Sequence, residues 1–121
     1  MERPFRRLIE ESSRLYHAGE PRAARVLEQE ALEVGSEQEI NTLGYVYLFQ
    51  QEDVERAVAL FQKNAEDYPA SWNTHDSLAE ALALRGDLGA ALESYRLAYD
   101  LAPELHRSRI RRVMDRLDRL N

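Results

Sequence analysis

Cysteine is absent from this chain of 121 residues. Its absence excludes disulfides, thiolate metal ligands and cysteine nucleophiles, and it is typical of a protein that works in a reducing compartment. The first residues carry charge and lack the apolar run of a secretory signal, so we expect a cytoplasmic protein. No apolar run approaches the roughly 20 residues needed to cross a bilayer, and we therefore expect no membrane partner.

Glycine and proline are also scarce, with five and four residues respectively. Alanine, leucine, glutamate and arginine dominate instead, and these are strong helix formers. Apolar residues recur at spacings of three and four between the glycines and prolines, and no segment shows the alternation of a strand. The pattern predicts an all-α fold of seven helices, and the length predicts one domain.

Several residues mark where these helices should begin. Pro21 suits the first turn of the second helix, where its missing N–H costs little. Ser36 with Glu39 has the spacing of a capping box at the start of the third helix. Asp53 and Ser71 are expected N-caps of the fourth and fifth helices.

The chain repeats itself at a fixed period. Residues 53–69 align with residues 87–103, so that Asp53 falls opposite Asp87 and Pro69 opposite Pro103. The offset is 34 residues, which is the period of tetratricopeptide (TPR) repeats. Shifting back by about another 33 residues reaches a similar turn at Gly19.

Residues 71–104 resemble the TPR signature of a large and small pair, a turn glycine, a small residue, an aromatic residue, another small residue and a closing proline. The residues that carry the resemblance are Leu78-Ala79, Leu82, Gly86-Asp87, Ala91, Tyr95, Ala98 and Pro103. A second repeat matches through Leu43-Gly44, Tyr47, Ala57, Phe61 and Pro69, and a first repeat more weakly through Leu15, Gly19, Ala24 and Ala31. The second repeat departs from the signature twice, because its first helix has one extra residue before the turn and Asn64 replaces the usual alanine.

The resemblance implies a right-handed superhelix of antiparallel helix pairs. Three repeats would span about 4–36, 37–70 and 71–104, a capping helix would span 104–120, and all would form a single domain over 1–121. Small side chains let paired helices approach closely while large ones fill the gaps beside them. Stacking is required because a single hairpin cannot bury its own apolar face.

Two segments, residues 40–45 and 61–81, are similar to TPR segments at the C-terminal end of bacterial serine hydrolases of the esterase and beta-lactamase-like kinds. The resemblance implies an accessory role beside a catalytic domain. The chain has no Gly-x-Ser-x-Gly elbow and no glycine-rich phosphate loop. We therefore expect that it is not an enzyme and holds no cofactor.

The three histidines, His17, His75 and His106, are too far apart to pair at the i,i+4 spacing of a helical metal site, so no metal site is expected. His75 forms a small cluster with Asp76 and Glu80, which we interpret as an exposed helix face.

Asn64 should be buried because it stands at a core position of the repeat. A buried amide without partners costs roughly 1–3 kcal/mol, so we expect it to pair with the turn backbone around Pro69–Ser71 or with Asn73 and Asp76. The favoured interpretation is a structural polar contact that fixes this turn, with ligand binding as the alternative.

Charge is distributed unevenly along the chain. Residues 1–103 hold nineteen acidic and ten basic side chains, a net charge of −9, whereas residues 104–121 hold three acidic and six basic ones, a net charge of +3. An acidic body argues against nucleic acid as a partner. The basic last helix fits a capping helix better than a membrane-surface helix, and it leaves open docking on the acidic body of a second copy.

In TPR proteins the first helix of each pair lines a concave groove, and the resemblance carries those positions over to this chain. The predicted groove residues are Arg6, Ile9, Ser13 and Tyr16 in repeat one, Gln38, Asn41, Tyr45 and Leu48 in repeat two, and Asn73, Asp76, Glu80 and Ala83 in repeat three. We expect a scaffold-type module that binds a protein or peptide there. The alternative is a structural or self-associating segment of a serine hydrolase or similar enzyme, which would form a homo-oligomer.

Overall fold

The computed structural model describes residues 4–121, and this part of the chain is helical without any strand. The all-α prediction is confirmed. A π-helical segment, Val46–Gln50, continues the third helix. The seven α-helices are α1 (Pro4–His17), α2 (Pro21–Val34), α3 (Glu37–Tyr45), α4 (Val54–Asp67), α5 (Trp72–Arg85), α6 (Leu88–Leu101) and α7 (Glu104–Leu120).

The helices recur at nearly constant intervals. Alternate helices in the series α1, α3, α5 and α7 begin 33, 35 and 32 residues apart, and those in the series α2, α4 and α6 begin 33 and 34 residues apart. Consecutive helices pack on each other, as α1 does on α2 and α5 does on α6. This arrangement is consistent with a helical repeat.

The chain divides into two compact units, one reaching Ile40 and the other spanning Asn41–Asn121. In the first unit α1 packs on α2, and the Ser12 hydroxyl donates a 2.7 Å hydrogen bond to the Ala24 carbonyl between them. In the second unit α4 packs on α5, α5 on α6, and α6 on α7. Because the division falls inside α3, the single domain over 1–121 stays a prediction.

Most of the expected helix starts have the predicted contacts. Ser36 and Glu39 form the reciprocal capping box, with the Ser36 N–H 2.9 Å from Glu39 Oε1 and the Glu39 N–H 3.1 Å from Ser36 Oγ. Asp53 accepts a hydrogen bond from the Arg56 N–H at 3.1 Å. Ser71 is the N-cap residue of α5 as predicted, but its side chain makes no capping hydrogen bond.

Small residues lie at the centre of the second unit. Ala57, Ala79, Ala91 and Ala98 have no exposed surface, and the ring of Phe61 is also completely buried among them. The absence of larger side chains lets α4, α5 and α6 approach closely enough to enclose this ring. The small residues of the repeat are therefore buried as the pattern predicted.

The extra residue of the second repeat is accommodated as a π-helical turn. The Gln51 N–H bonds the Val46 carbonyl, five residues back, at 3.1 Å, and the Asp53 N–H bonds the Tyr47 carbonyl at 2.8 Å. One added residue rotates the side chains that follow it by roughly 100°, since an α-helix has 3.6 residues per turn. Leu48 consequently lies in the core and Phe49 is 57% exposed.

Gly44 lies against the ring of Phe61 in the second unit. A Cβ atom there would lie 2.7 Å from Cζ and 2.8 Å from Cδ1 of the Phe61 ring. We predict that Gly44→Ala lowers the free energy of unfolding by about 1–3 kcal/mol, because the buried ring has no room to move. Urea denaturation of the purified variant measures this change.

Gly89→Ala is the matched control. Gly89 is also helical, but a Cβ there would meet nothing within 4 Å. Alanine favours the helix, so this variant should gain up to about 0.5 kcal/mol. Equal effects of the two substitutions would show that the approach of Gly44 to Phe61 does not limit stability.

Candidate binding surface

Tyr45 connects the end of α3 to α5. Its hydroxyl donates to Glu80 Oε1 at 2.8 Å and lies 3.2 Å from Ser77 Oγ. The Tyr45 ring packs edge-on against Phe61, with 5.0 Å between centroids. Core packing therefore fixes the ring, and the ring in turn positions the Glu80 carboxylate.

Asp76 connects α5 to α7. Its Oδ2 accepts a 2.9 Å hydrogen bond from a terminal nitrogen of Arg109, and the two groups form an ion pair. The Asp76 side chain is 12% exposed, whereas that of Arg109 is 46% exposed. Asn64 is fully buried as predicted, and its pairing with the turn backbone, Asn73 or Asp76 stays a prediction.

These contacts define a surface that we call the α3–α5–α7 face. It consists of Tyr45, Ser77, Glu80, Asp76 and Arg109. Three of the five side chains come from α5, which is the middle helix of the three, and the other two reach it from α3 and α7. The polar groups of this face are therefore arranged by the packing of the second unit.

The contacts between these helices join residues about one repeat apart. Tyr45 is 35 residues from Glu80, and Asp76 is 33 residues from Arg109. Trp72 and His106, 34 residues apart, stack with their ring centroids 4.4 Å from each other. Residues separated by one period occupy the same level on alternate helices. The period itself could therefore have indicated Arg109 and Ser77, which were not among the predicted groove residues.

Burial and nearby negative charge raise the pKa of two tyrosines near this face, Tyr45 and Tyr95. Burial raises the pKa of the Tyr45 hydroxyl above its ordinary value, and the carboxylate of Glu80 raises it further. Burial, together with the negative charges of Asp76 and Glu80, raises the pKa of Tyr95 to about 12. Both hydroxyls therefore stay protonated at neutral pH, and that of Tyr45 remains a donor.

The turn between α4 and α5 is held by side chains of α5. The Thr74 hydroxyl lies 2.9 Å from the Ser71 carbonyl and 3.2 Å from the Tyr68 carbonyl, and His75 Nε2 donates to the Pro69 carbonyl at 2.8 Å. His75 is buried, so the prediction of an exposed face around it is wrong. Its ring therefore has a structural role, as a donor to a carbonyl of the turn.

The predicted groove residues of the first repeat lie in the first unit, in α1. Arg6 is exposed and pairs with Glu10 at 2.9 Å, and Ile9 is half-buried. Ser13 is exposed, and Tyr16 is 59% exposed with its ring edge-on to that of the adjacent histidine. Gln38, the first predicted residue of α3, is also in this unit and is exposed.

The remaining predicted residues lie in the second unit. Asn41, Asn73 and Ala83 are half-buried. Leu48 is 7% exposed and belongs to the core, so its assignment to an open groove is wrong. The physical reason is the π-helical turn, which rotates Leu48 inward and Phe49 outward.

Two oxygens beside this face are buried without a hydrogen-bond partner, namely Oδ1 of Asn41 and Oδ1 of Asp76. Buried polar atoms are nearly always paired, and leaving one unpaired costs about 1–3 kcal/mol. Atoms left in this state are more common at functional positions than in a core that only has to be stable. The face therefore contains both a network of hydrogen bonds and a carboxylate oxygen, Oδ1 of Asp76, that accepts none.

Other kinds of site were sought over residues 4–121. No three side chains among the histidines, aspartates and glutamates of this range gather as metal ligands would. None of the helices between Pro4 and Leu120 is both long and apolar enough to span a bilayer. Comparison of the chain with sequence models of known protein families gives no match, and neither does comparison with curated proteins.

The Asp76–Arg109 pair should stabilise the fold modestly. A double-mutant cycle of Asp76→Ala and Arg109→Ala should give a coupling free energy of about 1 kcal/mol, because the carboxylate is buried but the guanidinium remains partly solvated. Thermal or urea unfolding gives the free energy of unfolding of the wild type, the two single variants and the double variant. The exposed Arg111–Asp115 pair of the same helix, at 3.6 Å, is the control and should couple by less than about 0.5 kcal/mol. Equal coupling in the two cycles would contradict this account.

Tyr95 should make stability depend on alkaline pH. The folded chain keeps its hydroxyl protonated up to about pH 12, whereas the unfolded chain releases the proton near 10.0. The stabilising contribution is therefore complete below pH 10 and is lost as the pH rises toward 12, by at most about 1.4 kcal/mol per pH unit. Unfolding of wild type and Tyr95→Phe, followed from neutral to alkaline pH, should show the wild type losing more stability. If the wild type and Tyr95→Phe lost the same stability as the pH rises, the pKa of Tyr95 would not be raised in the folded chain.

Proposed function

We propose that this chain is a non-catalytic interaction module of TPR type, which binds a peptide or partner domain through the α3–α5–α7 face. The proposal includes the right-handed superhelix that such repeats form. We place the module in the cytoplasm of a bacterium, in accordance with its lack of cysteine and its resemblance to bacterial TPR segments. Nucleic acid and membranes are not among the proposed partners, because the body of the chain is acidic.

The single observation that carries the proposal is the polar network of α5 with its neighbours. Tyr45, Glu80, Asp76 and Arg109 are held by contacts between three helices rather than by one flexible loop. Side chains that are held in place lose little conformational entropy when they bind, and this favours recognition. Such an arrangement is typical of a binding surface built on repeats.

The test is a selection of peptides from a displayed random library on the purified chain. Each selected peptide is then titrated by fluorescence anisotropy against wild type, Tyr45→Phe and Asp76→Asn. We expect each substitution to weaken binding by about tenfold, which corresponds to roughly 1.4 kcal/mol for the loss of a hydrogen-bonding group at the interface. Circular dichroism checks that the variants remain helical.

Glu93→Gln is the control for this experiment. Glu93 is exposed on α6 and takes no part in the α3–α5–α7 face, so its replacement should leave the affinity unchanged. Failure to enrich any peptide would count against the module role. So would peptides that bind wild type and both variants equally well.

A second candidate function is self-association, as in an accessory segment of a hydrolase. The observation that favours it is the charge of α7. Arg109 pairs with Asp76, and Arg107 and Arg111 lie over the Tyr99 ring at 5.7 and 6.0 Å. The other three arginines of α7 are exposed and form no ion pair with any residue from 4 to 121; they are Arg112, Arg116 and Arg119. Their spacing places them on one side of the helix, where they could meet the acidic body of a second copy.

Light scattering of the same purified chain distinguishes the two candidates. A mass that stays monomeric over a wide range of concentration favours a module that binds other proteins. A mass that rises with concentration and falls again with added salt favours self-association through charge.

A further inference from the structure

Phe49 is an aromatic side chain that the fold directs into solvent. The π-helical turn places it 57% exposed, although neighbouring Leu48 is in the core. Exposing a phenylalanine forgoes much of the stabilisation that its burial would provide. A π-helical turn is also uncommon and often lies at functional sites. Both features suggest that this ring has a role other than packing.

The Phe49 ring is supported from one side by Tyr45. The two rings are nearly parallel, at 9°, with 5.8 Å between their centroids, and Tyr45 in turn packs against the buried Phe61. This series of rings extends from the core to the surface. It keeps Phe49 in a defined orientation, so that its exposed surface is preorganised for contact with a ligand.

Glu80 adds a negative charge beside the same aromatic pair. Its Oε1 accepts the Tyr45 hydroxyl, but no cation of residues 4–121 forms an ion pair with it. Asp76, one turn earlier, does have such a partner in Arg109. Glu80 is half-buried, and the second unit, residues 41–121, carries thirteen acidic against ten basic side chains and so keeps a net negative charge.

We propose that Phe49, Tyr45 and Glu80 form a binding site for an arginine side chain of a partner polypeptide. This inference rests on the proposed function and identifies the chemistry of the ligand. A guanidinium group is planar, stacks on an aromatic ring, and pairs with a carboxylate through two N–H donors. Lysine fits less well, because its ammonium group is more strongly hydrated and has no flat face.

The experiment uses short glycine–serine peptides that differ in one central residue, which is arginine, lysine or citrulline. Citrulline has nearly the shape of arginine but lacks its charge. The full chain, labelled with nitrogen-15, is titrated with each peptide and followed by NMR. We expect the arginine peptide to shift the amide signals around Phe49 and Glu80 saturably, to bind at least about threefold more tightly than the lysine peptide, and the citrulline peptide to have no effect.

Two variants test the residues of the site. Phe49→Leu keeps an apolar side chain but removes the ring, and Glu80→Gln keeps the shape but removes the charge. Each should weaken binding of the arginine peptide by about threefold or more. Tyr68→Leu, at an exposed aromatic residue after α4, and Glu93→Gln are the matched controls and should not change it.

Four outcomes would overturn the inference. The first is equal binding of all three peptides, and the second is a set of shifted signals that excludes Phe49 and Glu80. The third is concentration-dependent self-association that Glu80→Gln abolishes, because the arginine would then come from α7 of a second copy. Library peptides that depend on Tyr45 and Asp76 but contain no arginine would also refute the arginine site, while leaving the module role intact.

Discussion

The close approach of Gly44 to the Phe61 ring is the contact on which the second unit depends. Phe61 lies where α4, α5 and the end of α3 come together, and its complete burial requires small residues around it. Because Tyr45 packs on this ring, the position of the Tyr45 hydroxyl follows from the packing of the core. The candidate binding surface is therefore an extension of the hydrophobic interior and not an independent feature.

Much of the fold could be predicted because it depends on local and periodic signals. The capping box of Ser36 and Glu39 needs only the spacing of two residues in one turn. The burial of Ala57 and Ala91 follows from their positions one period apart. At these positions the helix propensity, the hydrophobic pattern and the packing all favour the same helical structure. The sequence therefore specifies the helices without ambiguity.

The errors of prediction come from residues whose surroundings are set by distant parts of the chain. Ser71 occupies the N-cap position of α5 but its side chain makes no capping hydrogen bond, whereas Thr74 and His75 bond carbonyls of that turn. The assignment of Leu48 to an open groove carries the groove positions of TPR repeats past the extra residue of this helix. The extra residue signals an irregularity, but the sequence does not say that the helix accommodates it as a π-helical turn.

Arg109 shows how the repeat itself carries information about the site. On α7 alone it resembles five other arginines, and nothing in its immediate sequence distinguishes it. Its distance of 33 residues from Asp76 does distinguish it, because one period separates residues at the same level of alternate helices. The same rule relates Trp72 to His106 and Tyr45 to Glu80. No residue of opposite charge lies one period before or after Glu80, and within residues 4–121 its carboxylate accepts the Tyr45 hydroxyl and forms no ion pair. The arginine site that we propose uses this carboxylate because the repeat itself supplies no cation for it.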